Sequence, residues 1–446
     1  MRARLASTLT AFASLSALGL AQDAAAAPTI DKGDSVFLIV ATALVFLMTP
    51  ALALFYGGMV HKKNVLNTML MSFVMMGVVS LLWVGVGYSL AFAPAPNGFF
   101  GGFDYLFGQN IALDKPYGTQ TIPAALFMLF QMKFAIITPA LVSGAIVERA
   151  RFKSYLIFMM LWSLLVYAPI ACWVWNADGW LCKLGALDFA GGAVVHLSSG
   201  VTALALCIAL GKRKSISPPP NNITLTLLGA GLLWFGWFGF NAGSALAAND
   251  VAINAFLTTH LAAATAMIAW LAAERALGGR ATAIGGASGL VAGLVAITPA
   301  AGFVNAVSSV LIGLIAGVGC YLAINLKHKL GYDDALDVVG IHGVGGLLGA
   351  ILTGVFADPT VNAAVTGPAL EAGRAALIGK QFAAVGAVAV FVLIATIILA
   401  KITNAISPMR VPEEVEETGL DHVIHGESGY GLETPVNGAK EPAGAH

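Results

Sequence analysis

The chain has 446 residues, 58% of them hydrophobic and 10% charged, with 23 basic against 23 acidic side chains, 51 glycines and a mean hydropathy of +0.84. A soluble protein of this size is about a quarter charged, so this alphabet does not cover a water-facing surface. Zero net charge argues against a nucleic-acid binder, and Cys172, Cys182, Cys207 and Cys320 lack CxxC or Cys/His spacing, so neither a disulfide framework nor a zinc site is expected.

Arg2 and Arg4 precede a short apolar stretch to about Leu20, which ends in small residues before Pro28. This pattern predicts a cleavable signal peptide over 1–27 and a mature N-terminus outside. Apolar segments then follow near 35–56, 66–92, 122–147, 154–175, 189–210, 223–247, 254–273, 282–297, 304–326, 337–356 and 378–402. Crossing about 30 Å of hydrocarbon takes roughly 20 helical residues. These runs are continuous, not alternating, which points to helices and not barrel strands. The predicted fold is therefore an all-α polytopic membrane protein with eleven transmembrane helices, its membrane domain over 28–402.

With the N-terminus outside, inner loops hold Lys62, Lys63, Arg149, Arg151, Lys153, Lys212, Arg213, Lys214, Arg275, Arg280, Lys327 and Lys329. Outer segments hold only Lys32, Lys115, Lys183 and Arg374, with Lys380 at a boundary. The positive-inside rule supports this orientation, and an odd span count puts the C-terminus inside. Residues 403–446 are acidic, rich in Glu with Pro and Gly interspersed. They read either as a solvated tail or as a cytoplasmic docking segment.

Spans one to five and six to ten form two halves of five, which enter the membrane in opposite senses, with a C-terminal helix added. Weak similarity supports this 5+5 inverted repeat: "DFAGGAVVHLSSG" from Asp188 and "DVVGIHGVGGLLG" from Asp337 each open the fifth span of a half. His196 and His342 therefore occupy corresponding elements among glycines, and glycines let helices approach closely. Intramembrane imidazoles are functional candidates, although a lone one is more often structural. Depth arithmetic opposes their meeting. Counted from Asp188 and Asp337, the rings lie about 12 Å and about 8 Å into opposite sides of the layer, a gap of roughly 10 Å. They pair only if both Asp-led segments start inside the protein. His260, about six residues inside its span, reads as a packing or interfacial residue; His61, His328, His422, His425 and His446 read as surface residues.

Phe130 and Phe134 share a face of the third span, and Trp237, Phe240 and Ser244 share one of the sixth. Such stripes are usually packing. Here one brings a serine along, and Trp175 stands at the outer end of the fourth span. Aromatic faces attract a desolvated cation by about 2 kcal/mol or more, and a hydroxyl accepts its hydrogen bond. Phe134, Trp175 and Ser244 would suit a small monovalent cation that donates hydrogen bonds.

The strings "ALFYGG" from Ala53, "FAIITPALVSGAIVER" from Phe134, "GALDFAGGAVVH" from Gly185, "WFGFNAGSA" from Trp237, "GLVAITPAAGFV" from Gly293, "GIHGVGG" from Gly340 and "RVPEEVEETGLD" from Arg410 occur in this order. In them the chain closely resembles the ammonium transporter family, bacterial type, across nearly the whole mature sequence. The resemblance implies transport of ammonium, with methylammonium as analogue, by a homotrimer in the bacterial inner membrane, with one path per subunit. It does not imply an enzyme, and no cofactor or metal is expected. Phe134, Trp175 and Ser244 resemble the outer ammonium site, Phe130 and Phe240 a stacked gate, and His196 and His342 the twin histidines. Asp188, Trp237 and Thr298 look like supporting residues, and the tail resembles a regulatory segment that meets a PII signal protein. Lys133 departs from the pattern, since a small or apolar residue is usual there. It either snorkels, reaches a gap between subunits, or places charge beside the cation route.

Rival readings are a Rhesus-type channel for ammonia or carbon dioxide, an ammonium receptor with little flux, and an intramembrane enzyme. Trp175 together with Ser244 disfavours the first. The third would rest on Ser198 and Ser199, which no motif supplies with an acid partner.

Overall fold

The computed structural model describes residues 28–214 and 219–430. The expected signal peptide and His446 lie outside the described residues. Among the described residues ten helices are long and apolar enough to span a membrane: α1 Lys32–Met59, α2 Lys62–Phe92, α3 Ala124–Ile146, α4 Phe152–Leu184, α5 Gly192–Leu210, α6 Ile223–Ala245, α7 Asp250–Gly278, α9 Ala306–Leu330, α10 Val339–Phe356 and α11 Arg374–Ile406. The segment expected at 282–297 is α8, Ala283–Ile297, a shorter apolar helix. Among the described residues there is no strand, only the isolated bridges Pro116–Pro123 and Ala150–Arg410.

Lipid offers backbone groups no partner, so each segment satisfies its own. Several helix starts are capped by side chains: Asp31 accepts from Asp34 N, Asn222 from Leu225 N, Asn249 from Ala252 N, Thr282 from Gly285 N and Asn305 from Ser308 N. Outward faces carry exposed Leu81, Ile208, Ile253 and Val390, which in water would be a liability and in a bilayer are the solvent-facing surface.

Helix α6 lies along α1, and α7 packs on α8 and α9. The two Asp-led segments, α5 and α10, cross in the centre. A Cβ added at Gly200 of α5 would fall 2.2 Å from Gly343 Cα of α10, so only glycine admits this approach. Both helices open with a wide π-helical turn, Gly192–Leu197 and Val339–Val344, and each turn carries one histidine. Such turns recur at functional sites. The two helices run in opposite senses. Trp175 Nε1 donates to Asp188 O (3.0 Å) beside the start of α5, whereas before α10 the Leu336 N–H bonds Gly144 O (3.1 Å) at the far end of α3.

The face bearing that far end is laced with charge. Glu148, at φ +70°, occupies left-handed backbone that a non-glycine residue enters at a cost. Its carboxylate accepts from His61 N (2.8 Å), Asn64 Nδ2 (3.2 Å) and Arg213 Nη1 (2.7 Å). Burial opposes its charge, but these donors outweigh it and hold the carboxyl below its ordinary value. Burial also opposes the charge of Asp333. The Arg213 guanidinium, bonded at 2.8 and 2.9 Å, nevertheless holds its pKa to about 2.

The tail is docked onto this face through α12 Glu413–Thr418 and α13 Leu420–His425. Asp421 accepts from Leu66 N (2.9 Å) and Asn67 N (2.8 Å), capping the start of the long apolar run of α2. Arg410 joins Leu210 O (2.7 Å) to Glu416 (2.8 Å), and Leu420 N donates to Asn64 Oδ1 (2.9 Å). Composition reads this stretch either as a solvated tail or as a docking segment, and His425 as a surface residue. His425 is instead half-buried, bonded to Asn67 (3.0 Å) and edge-on to Phe152.

Candidate functional site

At the end of the bundle where α3 begins, an aromatic cup with about 1060 Å³ of empty space, open mouth included, is lined by Tyr117, Phe127, Gln131, Phe134, Trp175, Phe189, Ser244 and neighbours. Helix α3 supplies Phe127 and Phe134, whose spacing puts them on one face, and Tyr117 stacks on Phe127 with centroids 3.6 Å apart. The Phe134 and Trp175 rings meet edge to face at 5.7 Å. Ser244 Oγ donates its proton to Phe240 O (2.9 Å), which leaves its lone pairs available. The three residues expected to form one outer site are thus brought together.

Below them the expected two-ring stack of Phe130 and Phe240 takes a different form. Phe240 meets Phe134 at 4.4 Å and 45°, while Phe130 meets Phe134 edge-on at 5.0 Å and 70°. The constriction is a three-ring cluster around Phe134. Edge and tilted contacts suit ring quadrupoles better than a face-to-face stack.

Beneath the rings lies a narrow, nearly closed bore of about 10 Å³, room for a single water-sized molecule, lined by Leu52, Ile137, Leu141, Val195, Leu233, Val291, Phe240, Trp237, His196 and His342 with two further apolar residues. His196 Nδ1 lies 3.2 Å from His342 Nδ1, and the rings are nearly parallel at 25°. The 10 Å gap expected from depth arithmetic is absent, for two reasons. Both segments begin inside the protein, and the acid that starts the second is not Asp337.

Asp188 Oδ1 accepts from Gly191 N (2.8 Å) and Gly192 N (2.6 Å), and its Oδ2 from Ala193 N (2.8 Å) and Val194 N (3.3 Å). In the other arm that position belongs to Asp334, which is buried and whose Oδ2 accepts from Val339 N (2.7 Å). From Asp188 to His196 and from Asp334 to His342 are both eight residues. Asp337, taken from sequence as the counterpart, pairs with Lys327 instead. The missed signal was in the chain: aligning on the histidines, not on the nearest aspartate, finds Asp334.

The supporting residues fix the first imidazole. Trp237 stacks on His196 at 5.4 Å and donates Nε1–H to Thr298 Oγ1 (2.9 Å), and Thr298 donates to Leu294 O (2.7 Å). Thr298 therefore acts by holding Trp237. His196 Nε2 is buried with no partner among the described residues. In an Nδ1···Nδ1 contact one ring donates and the other accepts. The donor ring then has a bare Nε2, and the acceptor ring carries Nε2–H. The pair thus presents one acceptor and one donor at its two Nε2 atoms.

Ser198 Oγ donates to Val194 O (2.6 Å) and Ser199 Oγ to His196 O (3.0 Å), so both hydroxyls serve their own helix and neither is poised as a nucleophile. Lys133 points away from the cup, with its ammonium 5.0 Å from the Phe46 ring on α1. His260 lies on an exposed face, stacked on Trp234 at 5.2 Å.

A sequence profile of the Ammonium Transporter Family matches residues 36–430, nearly the whole described chain. The chain belongs to this family. Among its relatives is the ammonium transporter of Bacillus subtilis (strain 168), 50% identical over 403 residues, covering 90% of this chain and 99% of that one. The crystal structure of Saccharomyces cerevisiae Mep2 superposes with a TM-score of 0.80 at 39% identity, covering 86% of this chain and 89% of Mep2. A sensor Amt protein superposes with a TM-score of 0.80 at 30% identity, covering 87% and 97%. The family and the ten apolar helices make the protein a multi-pass membrane protein of ammonium transport.

Proposed function

We propose that the protein recruits ammonium in the aromatic cup, lets it pass its proton below the cup either to water of the outer vestibule or to the bare ring nitrogen of the imidazole pair, and conducts ammonia past His196 and His342. The observation that carries this reading is the 3.2 Å imidazole contact inside an otherwise apolar bore, directly beneath the cup. An intact ion entering low dielectric faces an idealised cost on the order of 20 kcal/mol. Ammonium avoids it by giving up a proton, an escape closed to potassium. Phe134, Trp175 and Ser244 repay part of the ion's dehydration through cation–π attraction and one hydroxyl acceptor. Once neutral, ammonia donates to the bare ring nitrogen and accepts from the Nε2–H of the other ring, so it keeps hydrogen bonds that an alkyl-lined tube would deny it. Asp188 orders the turn that presents His196, and Trp237 with Thr298 locks that ring.

The same reading places the protein in a bacterial inner membrane after removal of residues 1–27, as a homotrimer with one path per subunit. The docked tail is the surface a PII signal protein would meet. A sensor with little flux is the second reading, favoured by the likeness to a sensor Amt protein and by how firmly the tail is clamped. Purified protein in liposomes, assayed for methylammonium uptake and ammonium-evoked current together, separates them. Uptake with current means that the proton crosses as well, and uptake without current means conduction of the gas alone. Binding without either result overturns the transport reading.

A further inference from the structure

Gln131 lies between Phe127 and Phe134 on α3, four residues after one and three before the other, so the three side chains share a face. It lines the cup with Phe134, Trp175 and Ser244, and is 8% exposed. Its side-chain oxygen is sealed from solvent and has no hydrogen-bond partner among the described residues. On a helix face shared with Phe127 and Phe134, an amide oxygen left unsatisfied is a cost that packing alone does not explain. A half-turn about the last side-chain bond exchanges amide oxygen and nitrogen with almost no change of shape.

We propose that Gln131 is a further ligand of the outer site, turning its amide oxygen into the cup as the second oxygen acceptor for ammonium. This rests on the reading of the cup as the ammonium site. Ammonium has four N–H donors in tetrahedral directions, and aromatic faces satisfy them only diffusely. Ser244 on α6 supplies one oxygen from one wall, and Gln131 on α3 supplies another from a second wall. Two directed acceptors distinguish an ion that donates hydrogen bonds from potassium, which has equal charge and no donor. Gln131 therefore sets selectivity and apparent affinity at the entrance, while the rate of passage is set lower down by the rings and imidazoles.

The test uses the full chain in liposomes, with methylammonium as the probe and potassium as competitor. Gln131→Met keeps the volume and removes the acceptor. It should raise the half-saturation concentration about fivefold or more, the loss expected for one charge-assisted hydrogen bond, with maximal uptake reduced less than about twofold. Potassium should then compete better relative to methylammonium. Gln131→Glu restores an oxygen and adds charge, so half-saturation should fall again while potassium inhibition increases. Half-saturation within twofold for Gln131→Met, with Ser244→Ala shifted, overturns the role of Gln131 and leaves the cup in place. A loss of maximal uptake alone, equal in both Gln131 variants, also overturns it, because that is the signature of packing. A wild-type protein that takes up no methylammonium brings down the transport reading and this inference together.

Discussion

The two arms that meet at the histidines, α5 and α10, share one plan and finish it differently. In each a buried or half-buried aspartate eight residues upstream gathers backbone N–H groups and starts a π-helical turn that delivers an imidazole to the same point. Asp188 spends both oxygens on four N–H groups, and its arm opens beneath the aromatic cup. Asp334 uses Oδ2 on Val339, keeps a buried Oδ1 without a partner among the described residues, and opens into a face of ion pairs and the docked tail. Equal spacing sets equal depth for the rings, and the surroundings set what each arm does. One arm opens beneath the aromatic cup, and the other joins the bundle to the charged face that holds the docked tail.

The largest test of this contrast compares Asp188→Ala with Asp334→Ala. Removing Asp188 leaves four buried N–H groups without an acceptor, at about 1–3 kcal/mol for each unsatisfied group. Methylammonium uptake should fall at least about 100-fold, equivalent to roughly 2.7 kcal/mol. Asp334→Ala should cost thermal stability more than selectivity, with residual uptake still preferring methylammonium over potassium. If both variants lose uptake and selectivity equally, the two arms are not specialised.

The tail gives a smaller effect. Asp421→Ala removes the acceptor for Leu66 N and Asn67 N, a cap of about 1 kcal/mol. Limited proteolysis should then cut the tail faster, and uptake should change only about two- to fivefold. Unchanged cleavage would mean that Arg410 and Leu420 hold the tail without it.

The smallest effect is a pH dependence confined to the inner arm. Burial, with nearby Asp337 adding to it, raises the Asp334 carboxyl above its ordinary value. A folded state that binds this proton more tightly than the unfolded chain has its full contribution below the ordinary value, about 4, and loses it as pH rises through the raised one. Asp333 has the opposite sign: its contribution is present above about 4 and is lost only as pH falls toward its pKa of about 2. Melting in detergent should therefore drop by a few degrees as pH rises through neutrality, and Asp334→Asn should flatten that slope. A slope that survives the substitution assigns it to another group.

Much of the fold was legible because lipid is a simple solvent. Continuous apolar runs have one common solution, the spanning helix; α8, expected over 282–297 and found over Ala283–Ile297, is shorter than the roughly 20 residues of a full span. The cup was legible because Phe130 with Phe134, and Trp237 with Phe240 and Ser244, obey the three-and-four rule of a helical face. Three features were not. The π-helical turns leave no mark in a pattern of glycines and valines. Asp334 was hidden because its N–H partners lie across a non-helical turn, while Asp337 stood nearer the histidine and drew the comparison to itself. His425 sits in a run whose composition describes solubility, whereas its place is decided by Asn67 and Phe152 far away in the chain. The depth estimate failed because it assumed that helices begin at the bilayer surface, and these two begin inside the protein.

The imidazole pair is the centre of the account, and His196→Ala with His342→Ala in liposomes, assayed for methylammonium uptake and for current carried by ammonium and by potassium, tests it most directly. The account predicts that each substitution lowers methylammonium uptake at least about tenfold, roughly 1.4 kcal/mol of lost stabilisation, and that the double variant no longer prefers ammonium over potassium. Full uptake with unchanged selectivity in the double variant would contradict it.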